Sequence, residues 1–151
     1  MPWHCILVPH DFSSSANHAA ALARDIAKRF GARLVLLHVT EVPAGISIDT
    51  AVVPSPGAAP ISLRDYANAN ANDHLSDLAS RLEKDGVVVT WQIGVGNAVD
   101  EILRVAAEEK ADLIAMGTHG RTGLRHLVAG SVTEKIVRTS PVPVLTVRVP
   151  D

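Results

Sequence analysis

The sequence predicts an α/β protein in which one open, parallel β-sheet carries helices on both faces. Short apolar runs alternate along the chain with segments of helical periodicity, and this order is typical of parallel strands joined by right-handed helical crossovers. The length of 151 residues suits a single domain spanning residues 1–151. Apolar residues make up 47% of the chain and charged residues 20%, a composition that supports a buried core.

Five apolar runs predict the strands of this sheet. Most of them are continuous, as expected for strands that are covered on both faces. The third run alternates more between apolar and polar residues, which indicates a position nearer an edge of the sheet. The predicted strands are Cys5 to Val8, Leu34 to Val39, Val87 to Ile93, Leu113 to Met116 and Val144 to Val147.

Helices are predicted between these strands, where apolar residues recur at three- and four-residue intervals. The first helix follows a serine run and ends at Gly31, since glycine commonly terminates a helix. Ser131 and Glu134 form the S-x-x-E pattern of a capping box, which predicts that the last helix starts at Ser131. The predicted helices run from the serines at 13–15 to Phe30, from Ser62 to Asp85, from Asn97 to Lys110 and from Ser131 to Thr139.

One segment, residues 41–61, does not fit the alternation of strands and helices. It is rich in proline and glycine, with Pro43, Pro54, Pro56, Pro60, Gly45 and Gly57. A stretch of about twenty residues without regular structure is usually a functional lid or a disordered insertion. We therefore predict an insertion in the domain at about 41–61 and regard it as a candidate lid over a ligand site.

The charge balance and the cysteine content exclude several classes of protein. The 14 Lys and Arg residues against 16 Asp and Glu residues give a net charge of −2, which provides no basic face for nucleic acid and no polybasic run for a membrane surface. No apolar stretch approaches the roughly 18 residues of a membrane span. The single cysteine, Cys5, excludes an internal disulfide and a cysteine zinc site. We expect a cytoplasmic protein without nucleic-acid or membrane partners.

The segment from Met116 to Lys135 carries the residues that indicate a ligand. It starts where a buried strand ends, and it closes into the last predicted helix at Ser131. A helix N-terminus presents free backbone N–H groups and the positive end of the helix dipole, and a preceding glycine lets an anion approach the backbone closely. The segment therefore predicts a polyphosphate site, and its loop adds four side chains that could contact phosphate: His119, Arg121, Arg125 and His126.

Other phosphate-binding and catalytic motifs do not match. The Walker phosphate loop requires Gly-Lys-Ser/Thr before its helix, whereas this chain has Ala129-Gly130-Ser131. The glycines also do not follow the first strand, as those of a dinucleotide fingerprint do. A G-x-S-x-G nucleophile elbow is missing, which disfavours a Ser-His-Asp hydrolase. The spacing of His119 and His126 matches no standard metal site, so no protein-held metal is predicted.

The glycine spacing resembles that of the universal stress protein family. Gly117 and Gly120, followed after nine residues by Gly130 and Ser131, match the G-x-x-G-x9-G-[S/T] pattern of its ATP-binding members. The resemblance covers essentially the whole chain outside the insertion, and includes Val-Pro-x-Asp after the first strand and the stretches LVLLHV, ADLIAMGTHGRTG and SVTEKIVRTSPVPVLTVR. It implies a single-domain, Rossmann-like open sheet of five parallel strands in the order 3-2-1-4-5.

The resemblance also implies roles for individual residues. After strand 1, Pro9 and Asp11 would face the nucleoside, with the Asp11 carboxylate accepting hydrogen bonds. Val39 would offer main-chain groups to the adenine edge, and Met116 and Gly117 would pack along the ribose. The phosphates would be held by backbone N–H groups and two hydroxyls, from Gly120, Gly130, Ser131, Val132 and Thr133, with His119 and Arg121 in the same loop.

Simpler interpretations of some of these residues stay open. Gly117, Gly120 and Gly130 could be plain turn glycines, and Asp11 could cap the first helix instead of facing a ligand. His10 stands where many members of the family have a small or hydroxyl residue, so the nucleoside end departs from the usual pattern. His38, within an apolar strand, is interpreted as a hydrogen-bonded core histidine.

The implied function is that of an ATP-binding regulator of the stress response, with a divalent cation, Mg²⁺, bound through the phosphates. The resemblance also implies a homodimer formed through the last strand, Val144 to Val149, because pairing there would bury an exposed edge. The alternatives are a slow ATP hydrolase or autokinase and a nucleotide-free scaffold. The sequence shows no evident general base beside the phosphate loop and no kinase signature, which disfavours fast turnover.

Overall fold

The computed structural model describes residues 2–118 and 130–149. In chain order these residues form β1 (Cys5–Pro9), α1 (Ser14–Phe30), β2 (Arg33–Thr40), β3 (Ala51–Val52), β4 (Ile61–Ser62), α2 (Leu63–Leu82), β5 (Val89–Val95), α3 (Ala98–Glu108), β6 (Leu113–Gly117), α4 (Ser131–Thr139) and β7 (Val144–Val147). A short 3-10 helix, Glu83–Asp85, follows α2. Within this described part of the chain, no helix has the length and apolar character needed to cross a membrane.

The main sheet has five strands in the order β5-β2-β1-β6-β7. Every neighbouring pair in it is parallel. When the two short strands β3 and β4 are set aside, this order is 3-2-1-4-5, so the predicted fold class and strand order are confirmed. The third predicted strand, β5, lies at one edge as its alternating pattern indicated, and β7 forms the other edge.

Each face of the sheet has its own core, which explains the continuous apolar runs. Successive side chains of a strand point to opposite faces. In β1, Ile6 and Val8 pack with α1 and α2 on one face, whereas Cys5 and Leu7 pack with α3 and α4 on the other. A strand between two helical layers therefore has no solvent-facing side and needs no polar alternation.

The first three helices begin at the predicted polar caps. The Ser13 hydroxyl accepts a hydrogen bond from the Ala16 N–H, and α1 ends at Gly31 in the left-handed conformation with φ of 69°. Ser62 and Asn97 cap α2 and α3 in the same way. Such caps satisfy N–H groups that lack a partner within the helix.

The cap of α4 corrects the sequence prediction, although the helix has the predicted bounds, Ser131–Thr139. The N-cap is Gly130, which is extended with φ of −64° and ψ of 159°, and no side chain of residues 2–118 or 130–149 caps this end. Ser131 is therefore the first residue inside the helix, one position too late to act as its cap. Glu134 does not complete a capping box either: its N–H donates to the Gly130 carbonyl and its carboxylate pairs with Arg138 at 2.9 Å.

The segment 41–61 is more ordered than the sequence predicts. Its strand β3 pairs with β4 in an antiparallel hairpin. The hairpin is tied to the start of α2, because the N–H groups of Leu63 and Arg64 donate to the carbonyls of Thr50 and Ile48, at 2.8 and 3.0 Å. Two-residue strands with partly exposed side chains leave no periodic pattern in a sequence, which is why the hairpin was not predicted.

Candidate functional site

A cavity of about 480 Å³ opens at the carboxyl ends of β1, β2 and β6. Its volume falls within the roughly 300–1,000 Å³ that is usual for small-molecule and cofactor sites. The cavity lies where the order of the strands reverses, between β1 and β6, and open α/β sheets bind their ligands at this position. Nine of the predicted site residues line it: Pro9, Asp11, Val39, Met116, Gly117, Gly130, Ser131, Val132 and Thr133.

Some of the predicted residues are not described by the structure. His119, Gly120 and Arg121 lie outside the described residues, as do Arg125 and His126. The described wall of the cavity carries two carboxylates, those of Asp11 and Glu41, and no lysine or arginine. Within residues 2–118 and 130–149, no group of three His, Cys, Asp or Glu side chains is arranged to hold a metal ion.

The N-terminus of α4 presents main-chain donors to the cavity. The Gly130 N–H donates to the Thr118 carbonyl at 2.6 Å, and the Glu134 N–H makes the first bond within the helix. The N–H groups between them, on Ser131, Val132 and Thr133, have no acceptor within the described residues. All three residues line the cavity, so the positive end of the helix dipole and its free donors face it.

The two hydroxyls assigned to this end of the cavity differ in their surroundings. Thr133 is buried, and its hydroxyl donates to the Gly117 carbonyl at 2.9 Å. The proton of this hydroxyl is therefore used within the protein, which corrects its predicted use for phosphate and leaves the Thr133 N–H for that role. Ser131 is exposed and its hydroxyl remains available.

Gly117 is required by close packing between β6 and α1. A Cβ at this position would lie 2.7 Å from the carbonyl carbon of Ser15 and would also collide with the Ser15 hydroxyl. Since the neighbouring atoms belong partly to a main chain, they could not move aside cheaply. The glycine thus lets the start of α1 approach the end of β6, and this contact shapes the wall of the cavity.

Val39 offers unpaired main-chain groups. The pairing of β1 with β2 ends at Pro9 and Leu37, and the Leu37 carbonyl accepts the His10 N–H at 2.8 Å. Main-chain groups alternate in direction along a strand, so those of Val39 point to the same side as those of Leu37. No strand residue lies opposite them there, which leaves the Val39 N–H and carbonyl facing the cavity without a partner in the described structure.

The turn after β1 holds Asp11 beside the cavity. One carboxylate oxygen, Oδ1, accepts the Ser13 N–H at 3.0 Å. The N-cap of α1 is Ser13 itself, so Asp11 does not cap this helix. Its second oxygen, Oδ2, has no hydrogen bond to any described residue. The Asp11 carboxylate is therefore oriented by its own loop and keeps one free acceptor.

His10 and Phe12 make the same turn unusual. Phe12 adopts a left-handed conformation with φ of 65°, which costs a residue with a side chain roughly 1–2 kcal/mol. Its ring stacks on His38 with a centroid distance of 4.6 Å. The His10 ring, 4% exposed, accepts the Phe12 N–H at Nδ1 and donates from Nε2 to Asn17. Burial lowers the pKa of His10, which favours the neutral ring.

Three helix N-termini border the cavity, and two of them are occupied by side chains. Ser13 caps α1. The first N–H groups of α3 are taken by Asn97 and by the Glu41 carboxylate, which accepts the Ala98 N–H at 3.3 Å. Among the three, α4 alone has no side-chain cap in the described structure. Of these three N-termini, that of α4 therefore has main-chain donors that an anion could reach.

Several cavity residues were not predicted as site residues. His10, His38 and Glu41 line the cavity. His10 follows β1, Glu41 follows β2, and His38 lies within β2, near its carboxyl end. The rule that open α/β sheets bind ligands at the carboxyl ends of their strands could have indicated Glu41. His38 donates from Nδ1 to the His10 carbonyl at 2.9 Å, as expected of a hydrogen-bonded histidine, yet it is only half-buried. Of the predicted lid segment 41–61, Glu41 lines the cavity, whereas the hairpin of β3 and β4 does not.

The fold and this site define an open α/β protein with a ligand cavity at its topological switch point and an uncapped helix N-terminus in the wall. The sequence matches the model of the universal stress protein family over residues 2–148. The chain belongs to the universal stress protein family. Universal stress protein MJ0531 of Methanocaldococcus jannaschii is 31% identical over 145 residues, which are 96% of this chain and 82% of the relative.

Solved structures show the same architecture. The structure of MJ0577 matches with a TM-score of 0.83 and 28% identity, over 100% of this chain and 99% of that one. It is described as a structure-based assignment of the biochemical function of a hypothetical protein. A universal stress protein in complex with cAMP matches with a TM-score of 0.71 and 23% identity over 97% of this chain and 98% of that one. At 23% identity, the similarity to the cAMP complex shows a shared fold alone.

Proposed function

We propose that this protein binds ATP in the cavity between β1 and β6 and acts as a nucleotide-dependent regulator of the stress response. The observation that carries the proposal is the uncapped N-terminus of α4, which faces the same cavity as Asp11 and the end of β2. A polyphosphate fits one end of this cavity and a nucleoside fits the other.

The phosphate end is matched to an anion. Free N–H groups and the helix dipole at the start of α4 favour negative charge. The described wall holds no lysine or arginine to neutralise a triphosphate. A divalent cation, Mg²⁺, bound through the phosphates would supply that neutralisation, together with Arg121 and the helix dipole.

The nucleoside end offers acceptors and apolar surface. The free oxygen of Asp11 can accept hydrogen bonds from ribose hydroxyls, which are donors. The unpaired N–H and carbonyl of Val39 can bond the edge of adenine, which carries both an acceptor and a donor. Met116 and Gly117 line the wall at the end of β6, on the other side of β1 from Val39, where the sugar would pack.

The chemistry of the site favours binding over fast hydrolysis. Its titratable side chains in the described wall are His10, Asp11, His38 and Glu41, and all four belong to the ends of β1 and β2. The two nitrogens of His10 are used by Phe12 and Asn17, and Glu41 is bound to α3. None of the four lies on α4, so the proposed phosphate end has no described general base.

We also propose that the protein works as a cytoplasmic homodimer paired through Val144 to Val149. Strand β7 is an edge of the sheet, and an unpaired edge is a template for another strand. Helices α1 and α4 contact β7 from opposite faces. Both carry exposed apolar side chains, Leu22 and Phe30 on α1 and Val137 on α4, which association could cover.

The nucleotide content of the purified protein tests the proposed function. Protein prepared without added nucleotide is denatured by heat, and the supernatant is analysed for adenine nucleotides. ATP in the supernatant supports a binding site with little turnover, whereas ADP alone would favour the slow hydrolase. No nucleotide, together with no calorimetric signal on adding ATP and Mg²⁺, would contradict the proposal and favour a scaffold.

The variant Gly130→Val locates the site. The φ and ψ angles of Gly130 are those of extended backbone, which valine also adopts, so the fold should persist. The new side chain would stand beside the amides of α4 and block the phosphates. We expect ATP binding to be lost while the unfolding temperature stays near that of the wild type; unchanged affinity in a folded variant would refute the assignment.

A further inference from the structure

His10 is held on four sides at the nucleoside end of the cavity. Its main-chain N–H donates to the Leu37 carbonyl at 2.8 Å, and its carbonyl accepts from Nδ1 of His38 at 2.9 Å. Its ring accepts the Phe12 N–H at 3.1 Å through Nδ1 and lies 3.0 Å from Oδ1 of Asn17 through Nε2. The residue thus joins β2, the turn after β1 and the start of α1.

These contacts allow one protonation state of the ring. Nδ1 accepts a hydrogen bond from a main-chain N–H, so it cannot carry a proton, and Nε2 must carry one to donate to Asn17. A second proton on Nδ1 would set two donors, the ring N–H and the Phe12 N–H, against each other. The 4% exposure of His10 leaves little room for the ring to turn away.

The bond from Phe12 to His10 supports a conformation that would otherwise be unfavourable. Phe12 has a φ of 65°, and residues with large side chains rarely adopt this region. Asp11 lies between the two bonded residues, so the same bond closes the turn that carries its carboxylate. Strained backbone of this kind persists only where its surroundings hold it in place.

We infer that neutral His10 is a positioning residue for nucleotide binding: it closes the turn that sets Asp11 in the cavity wall, and its protonation opens that turn and weakens the bound nucleoside. The inference rests on the proposed function, because it assigns the pH dependence of that same site. His10 touches no ligand in this account; it acts through Phe12 and Asp11.

The charged and titratable groups around His10 set the direction of the effect. Burial lowers its pKa below the ordinary value of 6.5, and the nearby His38 on β2 and Arg81 on α2 act in the same direction. The hydrogen bond to Asn17 and the Asp11 carboxylate oppose them. Since binding needs the neutral ring, affinity is complete above the pKa of His10 in the folded protein and declines as the pH falls through it.

Two substitutions separate the contacts of the ring. His10→Asn places an amide oxygen near the position of Nδ1, where it can accept the Phe12 N–H, and it removes the titration. His10→Gln extends its amide toward Asn17 but leaves the Phe12 N–H without its acceptor. Calorimetric titration of the full chain with ATP and Mg²⁺ is carried out on all three proteins from pH 7.5 down through the pH at which NMR shows the His10 ring to titrate. In parallel, the Phe12 amide resonance is followed by NMR without nucleotide.

We expect His10→Asn to bind within about threefold of the wild type at pH 7.5, and His10→Gln to bind about tenfold more weakly, as one unmade hydrogen bond to a partly buried donor implies. On acidification the wild type should lose more affinity than His10→Asn, since titration of the phosphates is common to both. The wild-type Phe12 amide should shift together with the His10 ring and stay constant in His10→Asn.

Parallel loss of affinity in the wild type and His10→Asn would overturn the inference, as would a Phe12 amide that is indifferent to protonation of His10. If the wild type fails to bind ATP even at pH 7.5, the proposed function fails and with it the nucleotide part of the inference. The amide titration still decides, in that case, whether His10 holds the turn.

Discussion

The hydroxyl of Thr133 offers a test in which stability and binding should separate. Thr133→Val replaces a buried hydroxyl by a methyl group of similar size, so the packing is kept and the 2.9 Å bond to the Gly117 carbonyl is lost. An unmade hydrogen bond at this partly buried carbonyl costs about 1–2 kcal/mol. For a chain of this length that corresponds to a fall of about 2–8 °C in the unfolding temperature.

The assay compares Thr133→Val with Thr133→Ser, which keeps the hydroxyl. Unfolding in urea should show a lower midpoint for Thr133→Val, and Thr133→Ser should lose only the smaller contribution of one methyl group. ATP affinity should change little in the folded Thr133→Val protein, because its main-chain N–H remains. A variant with wild-type stability that has lost ATP binding would show that the hydroxyl serves the ligand and would refute this reasoning.

Two further substitutions test the packing of the site and the proposed dimer. Gly117→Ala should lower the free energy of unfolding by about 1–3 kcal/mol in urea denaturation, since its Cβ would meet the main chain of Ser15 at 2.7 Å; an equally stable variant would contradict the close contact. In β7 the carbonyls of Pro143 and Val147 point to β6, so the alternating main-chain groups of Thr146 point to the free edge. Thr146→Pro should therefore sediment as a monomer and Thr146→Val as a dimer, and a dimeric proline variant would exclude pairing through this edge.

The fold could be predicted from the sequence because its signals are local and repeated. Continuous apolar runs marked strands buried on both faces, and Ser13, Ser62 and Asn97 marked helix starts that the structure confirms. Gly31 marked the end of α1 in the same local way. The strand order followed from the family resemblance. The hairpin of β3 and β4 escaped prediction because two-residue strands carry no periodicity.

The position of the site could be predicted, whereas its internal hydrogen bonds could not. The carboxyl-end rule indicated where to look, and the family resemblance implied the nine predicted residues that line this cavity. The S-x-x-E pattern wrongly indicated a capping box at Ser131, because Gly130 is the extended N-cap residue of α4. The use of the Thr133 hydroxyl depends on which carbonyl lies above α4, and the contacts of His10 depend on the turn at Phe12. Such tertiary contacts leave no spacing in the sequence.

A crystal structure of the protein grown with ATP and Mg²⁺ tests the central claim most directly. We predict phosphate oxygens about 2.7–3.2 Å from the main-chain nitrogens of Ser131, Val132 and Thr133, with the nucleoside between Asp11 and Val39. A cavity that stays empty in excess ATP, or a triphosphate bound away from the start of α4, would contradict it.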